Sequence, residues 1–450
     1  MRRSFLLIAC LGALLLSACG GDSSLPSATG KGSIRMINAI PGSPDIVFLI
    51  EERALGGVGY KNSSNPVTYD DLDYLFNFEI RYPGDLALTR VASETLKVER
   101  DREHMFLLTG DINAPTITVW DGDVREFEES DTVFEVRFGH ATASLGDIDI
   151  YFDEPDTVPG TNPPIATLSF GEIASPADFE QGPYVITVTD AGDPDTVHFV
   201  SYETDLLPHF AHVITVFEGD GNNTAPVAVR SMTSVGNPLA FPDSAFPPQT
   251  RFIHAAYLLE SVDVYDDELL TNLVAADVQF QAATADLETT ADPKTYYFTP
   301  VNSQATILFE SGVGGQPAGA FSHVYLVGEP DDYRAILEFP DRASALLNAK
   351  LRIYHGALNY QFLDVYVKNR DEPVEEDDSP DTVTVYRNLS DPIQLDEGSY
   401  DIYLTERDTK TELAGPYPID VVLGDVVEIM AVDTADPIVI ELIDVPVPAP

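Results

Sequence analysis

Four segments of this 450-residue chain open alike, as Arg35-Met-Ile-Asn-Ala39, Arg137-Phe-Gly-His-Ala141, Arg251-Phe-Ile-His-Ala255 and Arg352-Ile-Tyr-His-Gly356. The starts lie 102, 114 and 101 residues apart. A repeat period constrains a fold strongly, because every copy must bury its apolar face by one plan. Units of this length are much longer than solenoid repeats and large enough to close a core of their own. Twelve residues after each of the last three Arg stands an Asp inside an apolar alternation: Asp149 before Ile150-Tyr151, Asp263 before Val264-Tyr265, and Asp364 before Val365-Tyr366. The first copy has Val47 at that place, with Asp45 two residues earlier.

Later landmarks keep the register. Gly182-Pro-Tyr184 and Gly398-Ser-Tyr400 open strand-like runs. His104, His212 and His323 head apolar runs 69, 75 and 72 residues after their Arg, and Asp425 takes that place 73 residues on in the fourth copy. Within a unit, short runs of Val, Ile, Thr, Tyr and Phe alternate with polar residues and are broken by Gly, Pro, Asp and Asn clusters, the pattern of strands and turns. No amphipathic helix longer than a turn or two is evident. The expected fold is all-β, four tandem immunoglobulin-like antiparallel β-sandwiches. They are placed at 33–130, 131–232, 250–346 and 347–450, with a Pro-containing linker over 233–249. Linker length suggests that the units form two closer pairs.

The chain opens with Arg2-Arg3, an apolar run from Phe5 to Leu16, and Ser17-Ala18 before Cys19. This is the order of a signal peptide, and the run is too short to span a bilayer, which takes about 20 residues. Leu16-Ser17-Ala18-Cys19 resembles the lipobox of bacterial lipoproteins. That resemblance implies a signal peptide over 1–18, acylation of Cys19, and a Gly/Ser-rich tether over 19–32. Gly20 follows the Cys, with Asp only at Asp22, so the inner-membrane retention signal is missing and the resemblance implies the outer membrane. The other Cys, Cys10, lies in the discarded segment, so the mature body is expected to form no internal disulfide.

The formal net charge is −49, from 74 acidic and 25 basic residues. Nucleic acid is excluded as a partner, because phosphate binding needs clustered Lys and Arg. Electrostatic adhesion to anionic lipid is excluded on the same ground, so the membrane is reached through the acyl chains alone.

The opening Arg, two apolar residues, His and Ala, with the Asp-apolar-Tyr strand and the Gly-x-Tyr turn, resembles the bacterial family called domain of unknown function 4397. The resemblance covers nearly the whole mature chain and is weakest in the first copy, where Asn38 replaces His. It implies tandem sandwiches in secreted or lipid-anchored proteins and carries no activity.

Candidate chemistry is sparse. Six of the eight His occupy two repeat positions, His140, His254 and His355 in one and His104, His212 and His323 in the other. No unit has the spacing of paired metal ligands, so hydrogen bonding of backbone at strand ends is the expected use. Arg137 with Asp149, Arg251 with Asp263 and Arg352 with Asp364 are expected to pair across adjacent strands. Acidic runs at 371–378, 190–195, 121–123 and 331–332 are expected to be solvated loops, with Ca²⁺ the alternative. Trp120 or the Tyr296-Tyr297 pair would suit a sugar ring, although packing is the commoner use. The chain has no nucleophile elbow, phosphate loop or His-Glu-x-x-His, and the Gly-rich Ser311–Gly315 stretch has no following helix. No catalytic, metal or cofactor residue is assigned. The leading reading is a non-enzymatic, envelope-anchored interaction or spacer module with a protein or polysaccharide partner; the other is a carbohydrate- or calcium-binding module.

Overall fold

The computed structural model describes residues 27–233, 238–436 and 439–446. Cys19, the signal segment and most of the tether lie outside the described residues. Everything described is strand, turn or loop.

Each repeat is built from two facing sheets. The opening strands are Lys31–Asn38, Val133–Ala141, Gln249–His254 and Ala349–His355. Each lies beside the seventh common strand of its own repeat: Arg102–Asp111, Ala211–Glu218, Phe321–Val327 or Val426–Asp433. That pair is parallel, the one parallel pair in each repeat, and the remaining ladders are antiparallel. The seventh strand then turns back into a closing strand, such as Ala114–Asp123 or Val227–Met232. The second sheet sets the Asp-bearing second strand against a central hairpin, for example Ile148–Asp153 against Pro183–Asp190 and Asp193–Val200.

Side-chain alternation explains why the opening strands read as nearly continuous apolar runs. Ile34 and Met36 point into the core of the first sandwich, whereas Ile37 and Ala39 point away from it. Both faces are buried, as parallel strands usually are. The outward faces meet a second sandwich. Ile37, Met105, Leu107 and Trp120 pack against Ala141, Val213, Phe217 and Met232 of the second repeat. Ile253, Tyr325 and Val327 pack against Tyr354, Met430 and Val432 of the fourth. The repeats therefore form two pairs, first with second and third with fourth.

Two stretches expected to be irregular are ordered. Lys31 and Gly32 at the end of the tether join the first strand, and Thr29 and Gly30 donate backbone N–H groups to Asp71 at 2.6 and 3.0 Å. In the linker, Leu239–Phe241 adds a strand to the second repeat, because Phe241 alternates inward and completes that core. The third repeat has the thinnest core, 9 buried apolar residues against 16 in the fourth, and the second strand of its central hairpin is only Phe309–Glu310. It depends more than the others on its neighbour.

Candidate functional site

The early His holds the turn out of the opening strand. The His140 Nδ1 accepts from the Thr142 N–H at 3.3 Å and its Nε2 reaches the Gly146 carbonyl at 2.9 Å. His254 Nδ1 accepts from Ala256 N–H at 3.2 Å. Asn38 does the same in the first repeat: its Oδ1 accepts from Ile40 N–H at 3.1 Å and its amide donates to the Val58 carbonyl at 3.0 Å. The substitution of Asn for His thus keeps the hydrogen bond two residues on. All four side chains are buried. Burial pushes the His254 and His355 rings down to about 4, and His140 downward as well.

Arg and Asp do not pair as the sequence suggests, because consecutive strands belong to opposite sheets. Asp149, Asp263 and Asp364 instead accept the backbone N–H of Gly192, Asn302 and Asp408 at 2.8, 2.8 and 2.9 Å. Each of those three residues has positive φ at the tip of the central hairpin. The carboxylate therefore holds a turn at its left-handed residue. Removing it in Asp263→Ala is expected to cost about 1.5–3 kcal/mol, the range of a charged hydrogen bond, read as a shift in urea midpoint. The Arg side chains face the neighbouring sandwich: Arg35 pairs with Glu103 at 3.1 Å, Arg137 with Glu135 at 3.0 Å and Arg251 with Asp286 at 3.2 Å.

The late His positions are not equivalent. His104 and His212 lie opposite Ile34 and Val136, one residue before the Arg, whereas His323 lies opposite Arg251 itself. One residue of slip turns a side chain to the other face of a sheet. The structural counterparts of His104 and His212 are Ser322 and Val427, not His323 and Asp425. His323 faces the fourth repeat, where its Nδ1 is 3.0 Å from Glu428 Oε1 and Arg342 is 2.9 Å from its Nε2. A guanidinium only donates, so Nε2 accepts and the Nδ1 proton goes to Glu428. The Tyr325 hydroxyl donates to the same carboxylate, and its ring stacks on Tyr354 with centroids 3.5 Å apart. Burial pushes the Glu428 carboxyl up, but these donors and the Arg352 charge hold it below the ordinary range.

Each acidic run carries a basic partner. Lys368 lies 2.8 Å from Asp378, His198 2.7 Å from Asp190, His104 2.5 Å from Asp121, and Arg387 2.8 Å from Asp332. Among the described residues no three His, Cys, Asp or Glu side chains gather where they could hold a metal ion. Trp120 is buried in the first pair, and its Nε1 donates to the Gly171 carbonyl at 2.7 Å. Gly139 stands where the other copies have Ile37, Ile253 and Tyr354, because a Cβ there would sit 2.5 Å from the Trp120 ring. Tyr296 is buried against Phe252, and in the Gly-rich stretch Gly314 is bridged to Lys294.

A further repeated element is hidden by uneven spacing. Tyr60-Lys61, Phe170-Gly171, Phe280-Gln281 and Tyr386-Arg387 fall 25, 33, 29 and 34 residues after their Arg. The second residue of each has positive φ, and its N–H donates to the carbonyl of Asn38, His140, His254 or His355. The aromatic rings of the last three stand edge-on to those His. The same residues reach into the partner sandwich. Lys61 meets Asp220, Gly171 accepts from Trp120, Gln281 donates to Glu441 and Arg387 meets Asp332. An aromatic followed by a residue forced left-handed is the signal, and it is legible only once the strands are placed.

The two pairs meet at the loop 219–226 of the second repeat. Asn222 accepts from the Arg342 and Ala343 N–H groups at 2.5 and 2.8 Å, and Thr224 N–H donates to Gly319. The connector ahead of the fourth repeat touches the first, with Leu346 N–H donating to the Gly42 carbonyl at 2.8 Å. A cleft of about 570 Å³ opens there, lined by Gly42, Asp220, Pro226, Gln249, Phe321 and Leu346 among others. The Arg342 guanidinium covers the Phe321 ring at 4.0 Å and pairs with Asp286 at 2.8 Å.

No family model matches the chain, and no curated protein does. Among solved structures, the Bacillus anthracis TIE protein aligns at 8% identity over 90% of this chain and 69% of its own, with a TM-score of 0.16. CBMbc, of family CBM26, from Eubacterium rectale Amy13K in complex with maltoheptaose, aligns at 10% identity over 46% of this chain and 98% of its own, also with a TM-score of 0.16. Likenesses at this level carry no functional argument.

Proposed function

We propose that the chain is a non-enzymatic interaction module of the bacterial cell envelope, held to the outer membrane by lipid on Cys19 and related to the domain of unknown function 4397 proteins it resembles. The observation that carries the interaction reading is the closure of four sandwiches around one cleft. A spacer gains from extension, whereas the Gly42–Leu346 contact brings the first repeat back against the connector of the fourth. The recurring His, Arg and Asp are engaged in turns and interfaces, which supports a binding role over catalysis. A protein partner suits the cleft better than a sugar, because the rings that would form a sugar platform are used elsewhere, Trp120 between repeats and Phe321 beneath Arg342.

Two measurements test this. Cys19→Ser is expected to move the protein from the membrane to the soluble fraction, and mass spectrometry of the native protein should show a lipopeptide beginning at Cys19; an unmodified chain sinks the anchor. A glycan array probed with the mature chain is expected to be blank. Saturable binding to one glycan class would put the carbohydrate reading first.

A further inference from the structure

Between the first and second repeats lies a second pocket, of about 180 Å³, in which Arg35, Arg125, Arg137, His209 and His212 converge with Glu103 and Glu135. Three guanidinium groups in one pocket are unusual in a chain with only 25 basic residues. Arg35, Arg137 and His212 are each more than nine-tenths buried. Two donors there have no hydrogen-bond partner, Arg125 Nε and His212 Nε2. His212 Nδ1 lies 2.7 Å from the Ser231 hydroxyl; when that hydroxyl donates, Nε2 carries the proton and lines the pocket as a donor.

The other pair supplies an internal comparison. In the fourth repeat Glu428 stands opposite Arg352, and in the second repeat Val213 stands opposite Arg137. Glu428 is buried between the third and fourth repeats, where it takes protons from His323 and Tyr325. Val213 lines the pocket of the first pair and brings no carboxylate. We propose that this pocket binds a small carboxylate anion, which takes the place against Arg35, Arg137 and His212 that the Glu428 side chain fills in the other pair. Glu103 and Glu135 hold Arg35 and Arg137 in position. Arg125, whose outer face reaches Asp178 at 3.1 Å, closes the rim. Guanidinium forks match a carboxylate in two parallel hydrogen bonds. The site is independent of the junction cleft.

The test is thermal unfolding of the mature chain in millimolar acetate or succinate, against sodium chloride, sulfate and phosphate at equal ionic strength, with the His212 ring followed by NMR. A saturable rise in Tm of a few degrees with the carboxylates, together with a shifted His212 resonance, is expected. Val213→Glu supplies the anion from the chain itself. It should show the shifted His212 resonance without ligand and lose the response to succinate. Should that variant fail to fold, Arg35→Gln carries the test, with affinity expected to fall about 10–100-fold for one lost charged hydrogen bond. Equal effects of all salts, a response to phosphate or sulfate alone, or an unchanged response in Arg35→Gln would overturn the proposal.

Discussion

Glu428→Ala is expected to destabilise the third and fourth repeats by about 3–5 kcal/mol, the cost of breaking a buried ion pair from one side. Glu428 is 3% exposed and accepts from both His323 and Tyr325. Its removal leaves those donors and the nearby Arg352 charge without their acceptor in a dry interface. The third repeat, with its thin core, should unfold first. The chain has a single Trp, and Trp120 lies in the other interface, so its fluorescence reports the first pair while circular dichroism reports the whole. Urea titration should therefore show an early phase by circular dichroism that fluorescence does not follow. The first pair puts Met105 and Val213 where the second has His323 and Glu428. Replacing both partners by apolar groups can be nearly neutral, so His323→Met with Glu428→Val should lose less than Glu428→Ala alone. Coincident transitions by both probes, or a double variant worse than the single, would count against this account of the interface.

What the sequence disclosed and what it hid divide along a physical line. The fourfold plan was legible because Arg, His and Asp recur at nearly fixed offsets on the opening and second strands, where no insertion separates them. Strand content followed from alternation and turn residues. The pairing of repeats was suggested by linker length, and its cause, the doubly buried opening strand, is visible in runs such as Phe252-Ile253. Register was not legible: His323 sits at an offset between those of His104 and His212, yet faces the opposite side. The Arg–Asp pairs failed because adjacency along the chain puts consecutive strands in different sheets. Loops of unequal length concealed Lys61, Gly171, Gln281 and Arg387. The linker strand escaped because three residues, Leu239–Phe241, are too few to show a period.

Acid should weaken the fold through its buried His. Burial holds His212, His254 and His355 at about 4, against an ordinary 6.5. A ring whose folded value is depressed contributes its stability in full above about pH 6.5. The contribution falls as pH drops from there to about 4, because the unfolded chain binds the proton first. At about 1.4 kcal/mol per pH unit each ring accounts for about 3 kcal/mol over that window. Asp243, Asp433 and Glu338, raised by burial, work in the opposite direction, since the folded state takes up their protons first. Relief of self-repulsion in a chain of net charge −49 also opposes the loss. The His term is therefore best isolated by substitution, and the first repeat supplies the replacement. Asn38 holds the same turn with a group that does not titrate. His254→Asn and His355→Asn are expected to cost about 1–2 kcal/mol at pH 7.5 through lost packing, yet to flatten the fall in Tm between pH 6.5 and 4. Their curves should cross that of the parent chain on the acid side. Parallel curves over the whole range would mean that these rings are not the groups that titrate.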